Sequence, residues 1–253
     1  NNFTITISAP LSIMVLWKKH QGIQMSSNQA TLDTTADNIV ALLQDPSTNL
    51  SELLNYPVFY STFIKKDPFL FDAFRLRLQN ELLNIKDEFD SLSAEEQALI
   101  KHRVDSLLSF YSYTEPKTGD YISLPDLSSA PIKFYDFCVQ RIYLTKDDYL
   151  SPYTCYGLIP PKGCPLPARI VFPGTTFLTA NGFTQALLGD SALGGGVGYI
   201  LYWQGAEPLQ DWINNQYDQT EQPVHVCGQS LGGAMSMQAY IHQPNKVSFT
   251  ALN

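Results

Sequence analysis

The spacing of hydrophobic and polar residues changes several times along this chain, and each change predicts an element. Phe3, Ile5 and Ile7 alternate with polar residues as in a short strand, ahead of an Asn/Gln/Ser-rich connector from Gln21. From Thr31 to Tyr111 the period lengthens to that of a helix. Asp37 to Gln44 predicts one short helix. Asp67-Pro68 reads as a cap and a favourable first helical residue, and Phe71, Phe74, Leu78, Leu82, Ile85 and Phe89 continue the stripe. Ser93-Ala94-Glu95-Glu96 is a capping box opening a third helix, with Leu99, Val104, Leu107, Leu108 and Tyr111 as its apolar face.

Between Thr114 and Pro131 the composition turns to Pro, Gly, Ser and Asp, which predicts a loop or domain boundary. Strands are expected next. Ile132 to Thr145 carries Ile132, Phe134, Cys138, Ile142 and Leu144 on one parity, and Tyr153 to Ile159 follows closely, as in an antiparallel pair at a sheet edge. Arg169 to Phe172 and Tyr199 to Trp203 read as short buried strands, Glu207 to Gln219 as a helix, and Val247 to Leu252 as a last strand. Short apolar strands alternating with helices argue for an α/β fold with a mostly parallel sheet covered on both faces. The expected organisation is a mainly helical region over residues 1–130, serving as a cap or accessory layer, and an α/β core over residues 131–253.

The strongest chemical signal lies in Val224-His225-Val226-Cys227-Gly228-Gln229-Ser230-Leu231-Gly232-Gly233-Ala234. An apolar strand runs into a G-x-S-x-G turn and then a helix, the context in which such a serine stands exposed at the end of a sheet. Gly228 and Gly232 leave room for the helix to pass the strand closely, and the helix N-terminus turns unpaired amides, Leu231 first, toward the Ser230 hydroxyl. An acyl-transfer site also needs a second oxyanion donor from an earlier strand-end loop, and Phe172-Pro173-Gly174-Thr175-Thr176 has that form, with Thr175 presenting its amide. The plainer alternatives are a glycine-rich turn with a capping serine and an ordinary strand-end loop.

Composition narrows the field. The net charge is −8 and no basic cluster occurs, which argues against nucleic acid as a partner and against attraction to anionic membranes. The 44% hydrophobic and 16% charged content suits a folded globular chain. Cys138, Cys155, Cys164 and Cys227 show no metal-binding spacing, so neither a metal nor another cofactor is expected; Cys227 reads as a buried thiol, and a Cys155–Cys164 pair is left open. No transmembrane segment or signal peptide is visible, so secreted and cytoplasmic locations both remain open.

The stretches RIVFPGTTF (169–177), VHVCGQSLGGAMS (224–236) and VSFTALN (247–253) resemble the class 3 lipase family of the α/β-hydrolases, over about residues 130–253. The resemblance implies an α/β-hydrolase-type sheet, Ser230 as nucleophile, and Thr175 and Leu231 as the oxyanion hole. Gln229 stands where the family commonly has His, and Pro173 where it usually has Arg.

In α/β-hydrolases an acid and then a histidine follow the serine, yet no acidic residue follows Ser230 here. The one later histidine, His242, would lie about 18 Å along the helix, His225 should face a helix layer, and His20 and His102 lie in segments without a site signal. The expectation is therefore that the sheet is incomplete at Asn253, that acid and base come from a further segment of the same or another chain, and that these residues alone are nearly inactive. The expected activity is serine ester hydrolysis of lipase or phospholipase type. The apolar segment Phe177 to Val197, with Gly194-Gly195-Gly196 as a hinge, favours a lipid substrate and leaves contact with a lipid interface open. A peptidase or thioesterase on the same turn, and a catalytically dead hydrolase used for binding, are the alternatives.

Overall fold

A computed structural model describes residues 36–54, 68–144, 153–175 and 196–252. The first strand expected near residues 3–7 and most of the apolar segment at 177–197 lie outside the described residues. The helical half contributes α1 (Ala36–Gln44), α2 (Leu50–Leu54), α3 (Pro68–Asn84), a 3-10 turn at Phe89–Ser91, and α4 (Ala94–Tyr113). Helix α4 begins where expected. The Ser93 hydroxyl accepts from the Glu96 amide while the Glu96 carboxylate accepts from the Ser93 amide, at 2.8 Å for the second bond. Two details of the helical stripes differ from the sequence reading. Helix α3 stops at Asn84, so Phe89 belongs to the 3-10 turn, and Leu99 is 40% exposed while neighbouring Ile100 is buried.

Among the described residues the sheet has six strands, in the order β1 (Tyr121–Asp126), β2 (Lys133–Tyr143), β3 (Thr154–Ile159), β4 (Arg169–Phe172), β5 (Val224–Gln229) and β6 (Val247–Leu252). Strands β1 to β4 pair antiparallel, and only the β4–β5 and β5–β6 pairs are parallel. The expected mostly parallel sheet is thus a mixed one. The cause lies in the connections: the parallel pairs follow crossovers long enough to hold a helix, whereas β1, β2 and β3 are joined by links too short for a crossover. Strand β1 also corrects the loop expected at Thr114–Pro131. Ile122 and Leu124 point into the core, and Pro125, which has no amide to donate, is tolerated because β1 is an edge strand.

Helices cover both faces. On one, α3 and α4 pack with Phe137, Val139, Tyr156, Leu158, Val171 and Cys227. On the other, Ile142, Cys155, Ile170, Phe172, Val224 and Val226 meet α5 (Tyr199–Gln204), α6 (Ala206–Thr220) and α7 (Leu231–His242). The buried parity of β2 therefore switches along its length, odd positions serving the first core at Phe137 and Val139 and an even one, Ile142, the second, which Leu144 joins just beyond the strand. The run Tyr199 to Trp203, expected as a strand, lies in a single short helix, Tyr199–Gln204. A five-residue apolar run carries no period that separates strand from helix, and here Leu201 and Tyr202 turn inward while Trp203 remains 50% exposed. All four cysteines are free, so Cys155 and Cys164 do not pair. Among the described residues no helix is long and apolar enough to cross a membrane.

Candidate active site

Strand β5 ends at Gln229 and helix α7 starts at Leu231, leaving Ser230 as the single residue of the turn. Its backbone lies at φ 56° and ψ −120°, a region that side-chain-bearing residues occupy only when their surroundings force them. The forcing contacts are visible. The Ser230 amide donates to the carbonyl of Leu252 on β6 at 2.9 Å, and the Ser230 carbonyl accepts the first helical bond from Ala234 at 3.1 Å. Gly228 and Gly232 allow the crossing. A methyl group on Gly228 would fall 2.6 Å from the Phe172 carbonyl oxygen, and one on Gly232 would run into that same oxygen. The Ser230 side chain is exposed and makes no capping hydrogen bond to its helix. Leu231, first residue of α7, has an amide without an intrahelical acceptor, directed to the same end of the sheet.

The loop after β4 adjoins this turn, because Phe172 is in register with Gly228. Thr175 is buried in it. Two phenols fix the loop. The Tyr153 hydroxyl donates to the Pro173 carbonyl at 2.6 Å, so the loop is anchored there through its backbone. The Tyr113 hydroxyl, at the end of α4, donates to Gln229 Oε1 at 3.0 Å and sits against the open side of Gly174. Ser230, Leu231, Gly228, Gly232 and Thr175 thus come to one end of β4 and β5; Thr176 lies outside the described residues.

The described histidines go elsewhere. His242 stacks on Tyr202 with ring centroids 4.7 Å apart and meets the edge of Trp203, at the far end of α7 from Ser230. His102 is exposed on α4, eleven residues before Tyr113 and so about 16 Å from that end of the helix. His225 faces the helical layer as expected, about 16 Å down the strand from Ser230.

His225 belongs to a cluster that no motif announced. Arg169, His225 and Ser248 occupy one row across β4, β5 and β6, and beneath them Asp105 enters from α4. Arg169 Nη1 donates to Asp105 Oδ1 at 3.2 Å, and His225 Nε2 lies 3.2 Å from both carboxylate oxygens. His225 Nδ1 is 3.1 Å from Ser248 Oγ, accepting its proton when the ring is neutral. Burial pushes the Asp105 carboxyl up, but the hydrogen bond and charge of His225, the charge of Arg169 and a hydrogen bond from Thr250 outweigh it and hold the carboxyl below its ordinary value. Burial in the neighbouring core pushes the Cys227 thiol well up, which keeps it protonated and inert. The cluster contains the residue types of a hydrolytic triad, but Ser248 sits inside a regular strand and not at a strand-to-helix turn. The available signal was Asp105 itself, an acid beside Val104, Leu107 and Leu108 in a stretch with the apolar spacing of a buried helix face.

Among the described residues no group of His, Cys, Asp and Glu is suited to hold a metal ion. Comparison of the chain with models of known protein families, with curated proteins and with solved structures gave no match in any of the three.

Proposed function

We propose that this chain is a serine ester hydrolase of lipase or phospholipase type, built on an α/β-hydrolase-like core and working through an acyl-Ser230 intermediate. The observation that carries the reading is the backbone of Ser230. A serine that merely capped its helix would adopt an extended conformation and bond the helix amides. Ser230 instead holds φ 56° with its hydroxyl exposed and uncommitted to the helix. Such strain costs about 1–3 kcal/mol and is retained where the presented side chain has a task.

In the proposed reaction Ser230 Oγ attacks the ester carbonyl carbon while its proton passes to a histidine. The carbonyl oxygen becomes an oxyanion between the amides of Leu231 and Thr175, and collapse of the tetrahedral intermediate expels the alcohol. Water then attacks the acyl-serine and releases the acid. The base and its carboxylate partner are assigned to residues outside the described ones, since His102, His225 and His242 are all placed away from Ser230.

The test is labelling of the protein made from its complete reading frame with a fluorophosphonate, followed by mapping of the adduct. A single adduct at Ser230 that disappears in Ser230→Ala is expected. With it, turnover of p-nitrophenyl butyrate and a phospholipid should fall by about 10⁶ in that variant. Labelling elsewhere, or labelling unchanged in Ser230→Ala, overturns the assignment.

A further inference from the structure

We propose that Tyr113 is a positioning residue for the reaction at Ser230, its phenol setting the distance between the nucleophile turn and the oxyanion loop. The inference rests on the hydrolase reading above. Three groups remote in sequence converge here. Tyr113 ends α4, Gln229 is the residue before Ser230, and Gly174 is the residue before Thr175. The Tyr113 hydroxyl donates to Gln229 Oε1 at 3.0 Å across 116 residues of sequence. It also occupies the space where a side chain on Gly174 would go, so that a Cβ there would meet the phenol oxygen and lie 2.7 Å from the Gln229 carbonyl and 3.1 Å from Gln229 Oε1. The phenol is thus a spacer between the two strands' ends.

Its burial makes the spacer stiff. Tyr113 is only 3% exposed, and a buried hydroxyl that lost its acceptor would cost about 1–3 kcal/mol, so the Gln229 side chain is held in one orientation. From the other side Tyr153 grips Pro173, leaving the loop little freedom between two phenols. Helix α4 cannot easily slide, because Asp105, two turns earlier, is bound to Arg169 and His225 at the other ends of β4 and β5. The helical first half of the chain is in this sense part of the site's framework and does more than cover it. Displacing a catalytic group by about 1 Å can cost a hundredfold in rate, so the spacer acts on turnover and leaves substrate binding alone.

The experiment compares second-order fluorophosphonate labelling rates at Ser230, and kcat and KM on p-nitrophenyl butyrate, for the full-length wild type, Tyr113→Phe, Gln229→Met and the double variant. Tyr111→Phe serves as control, since it removes a buried phenol two residues earlier on the same helix, from a ring packed on Phe71. The expected result is a fall of roughly ten- to a hundredfold in labelling rate and kcat for each single variant, with KM unchanged, no further fall in the double variant, and wild-type rates in Tyr111→Phe. Rates within twofold of wild type in Gln229→Met, or in a folded Tyr113→Phe, overturn the proposal. So does a double variant whose losses multiply, or an equal loss in Tyr111→Phe. A wild type that labels nowhere would instead overturn the hydrolase reading, and the positioning role with it.

Discussion

Strand β5 has two ends of opposite character. At its start, His225 is saturated: both ring nitrogens have partners, Asp105 beneath it is buried, and Arg169 and Ser248 complete the row. At its finish, Ser230 is strained, exposed and without a capping bond. The serine, histidine and acid that chemistry would use at one end are gathered at the other, where they tie the helical layer to the sheet. Residue type alone therefore does not mark a reactive site. The difference lies in backbone: the end proposed to react has a positive-φ turn beside a helix N-terminus, and the saturated end has regular strand.

The comparison can be broken most forcefully at the saturated end. Asp105→Asn should destabilise the fold by about 3 kcal/mol at pH 7, since it leaves Arg169 and His225 facing a neutral partner in a buried site. Labelling chemistry at Ser230 should survive in the fraction that remains folded. The pH dependence has a definite sign. Because the carboxyl is held below its ordinary 3.8, its contribution is complete above that value and is lost as pH falls through the lower folded value. Urea melts at a series of pH values should show wild type and variant far apart near neutrality and converging in acid; a constant gap would refute the ionic account.

A smaller effect is expected at the oxyanion loop. Thr175→Pro removes the amide assigned to the second donor, and kcat should fall by about 10²–10³, the usual loss for one such donor. Full ester turnover in a folded variant would place the hole elsewhere.

The smallest effect sharpens the contrast from the Ser230 end. Ser230→Gly removes the strain of a positive φ, and should raise unfolding stability by about 1 kcal/mol while ending ester turnover. Thermal denaturation provides the check. A variant less stable than wild type would mean that the serine side chain contributes contacts to the fold.

Local signals were legible in the sequence, and distant ones were not. The capping box at Ser93, the strand–turn–helix around Ser230 and the edges of β5 and β6 depend on residues within a few positions of one another, and all lie where the sequence put them. Pairing direction was only partly legible: β2 and β3 form the expected antiparallel pair, but the same direction continues through β3–β4, which strand composition does not encode. Strand β1 was masked by its Pro and Asp, and α5 by an apolar run of uniform character. Asp105, Tyr113 and Tyr153 escaped notice because their partners lie on other elements, and nothing in their neighbours' spacing points there.

The bonds from α4 to β5 have a kinetic meaning. Asp105–His225 and Tyr113–Gln229 close loops of 120 and 116 residues, about half the chain. Closing such loops costs chain entropy before any contact repays it, so contacts of this span form late and slow folding. An emerging polypeptide would carry α4 long before β5 exists to receive it. Ser230 would then be set beside the Thr175 loop only late in folding, once β5 has joined β4 and met α4.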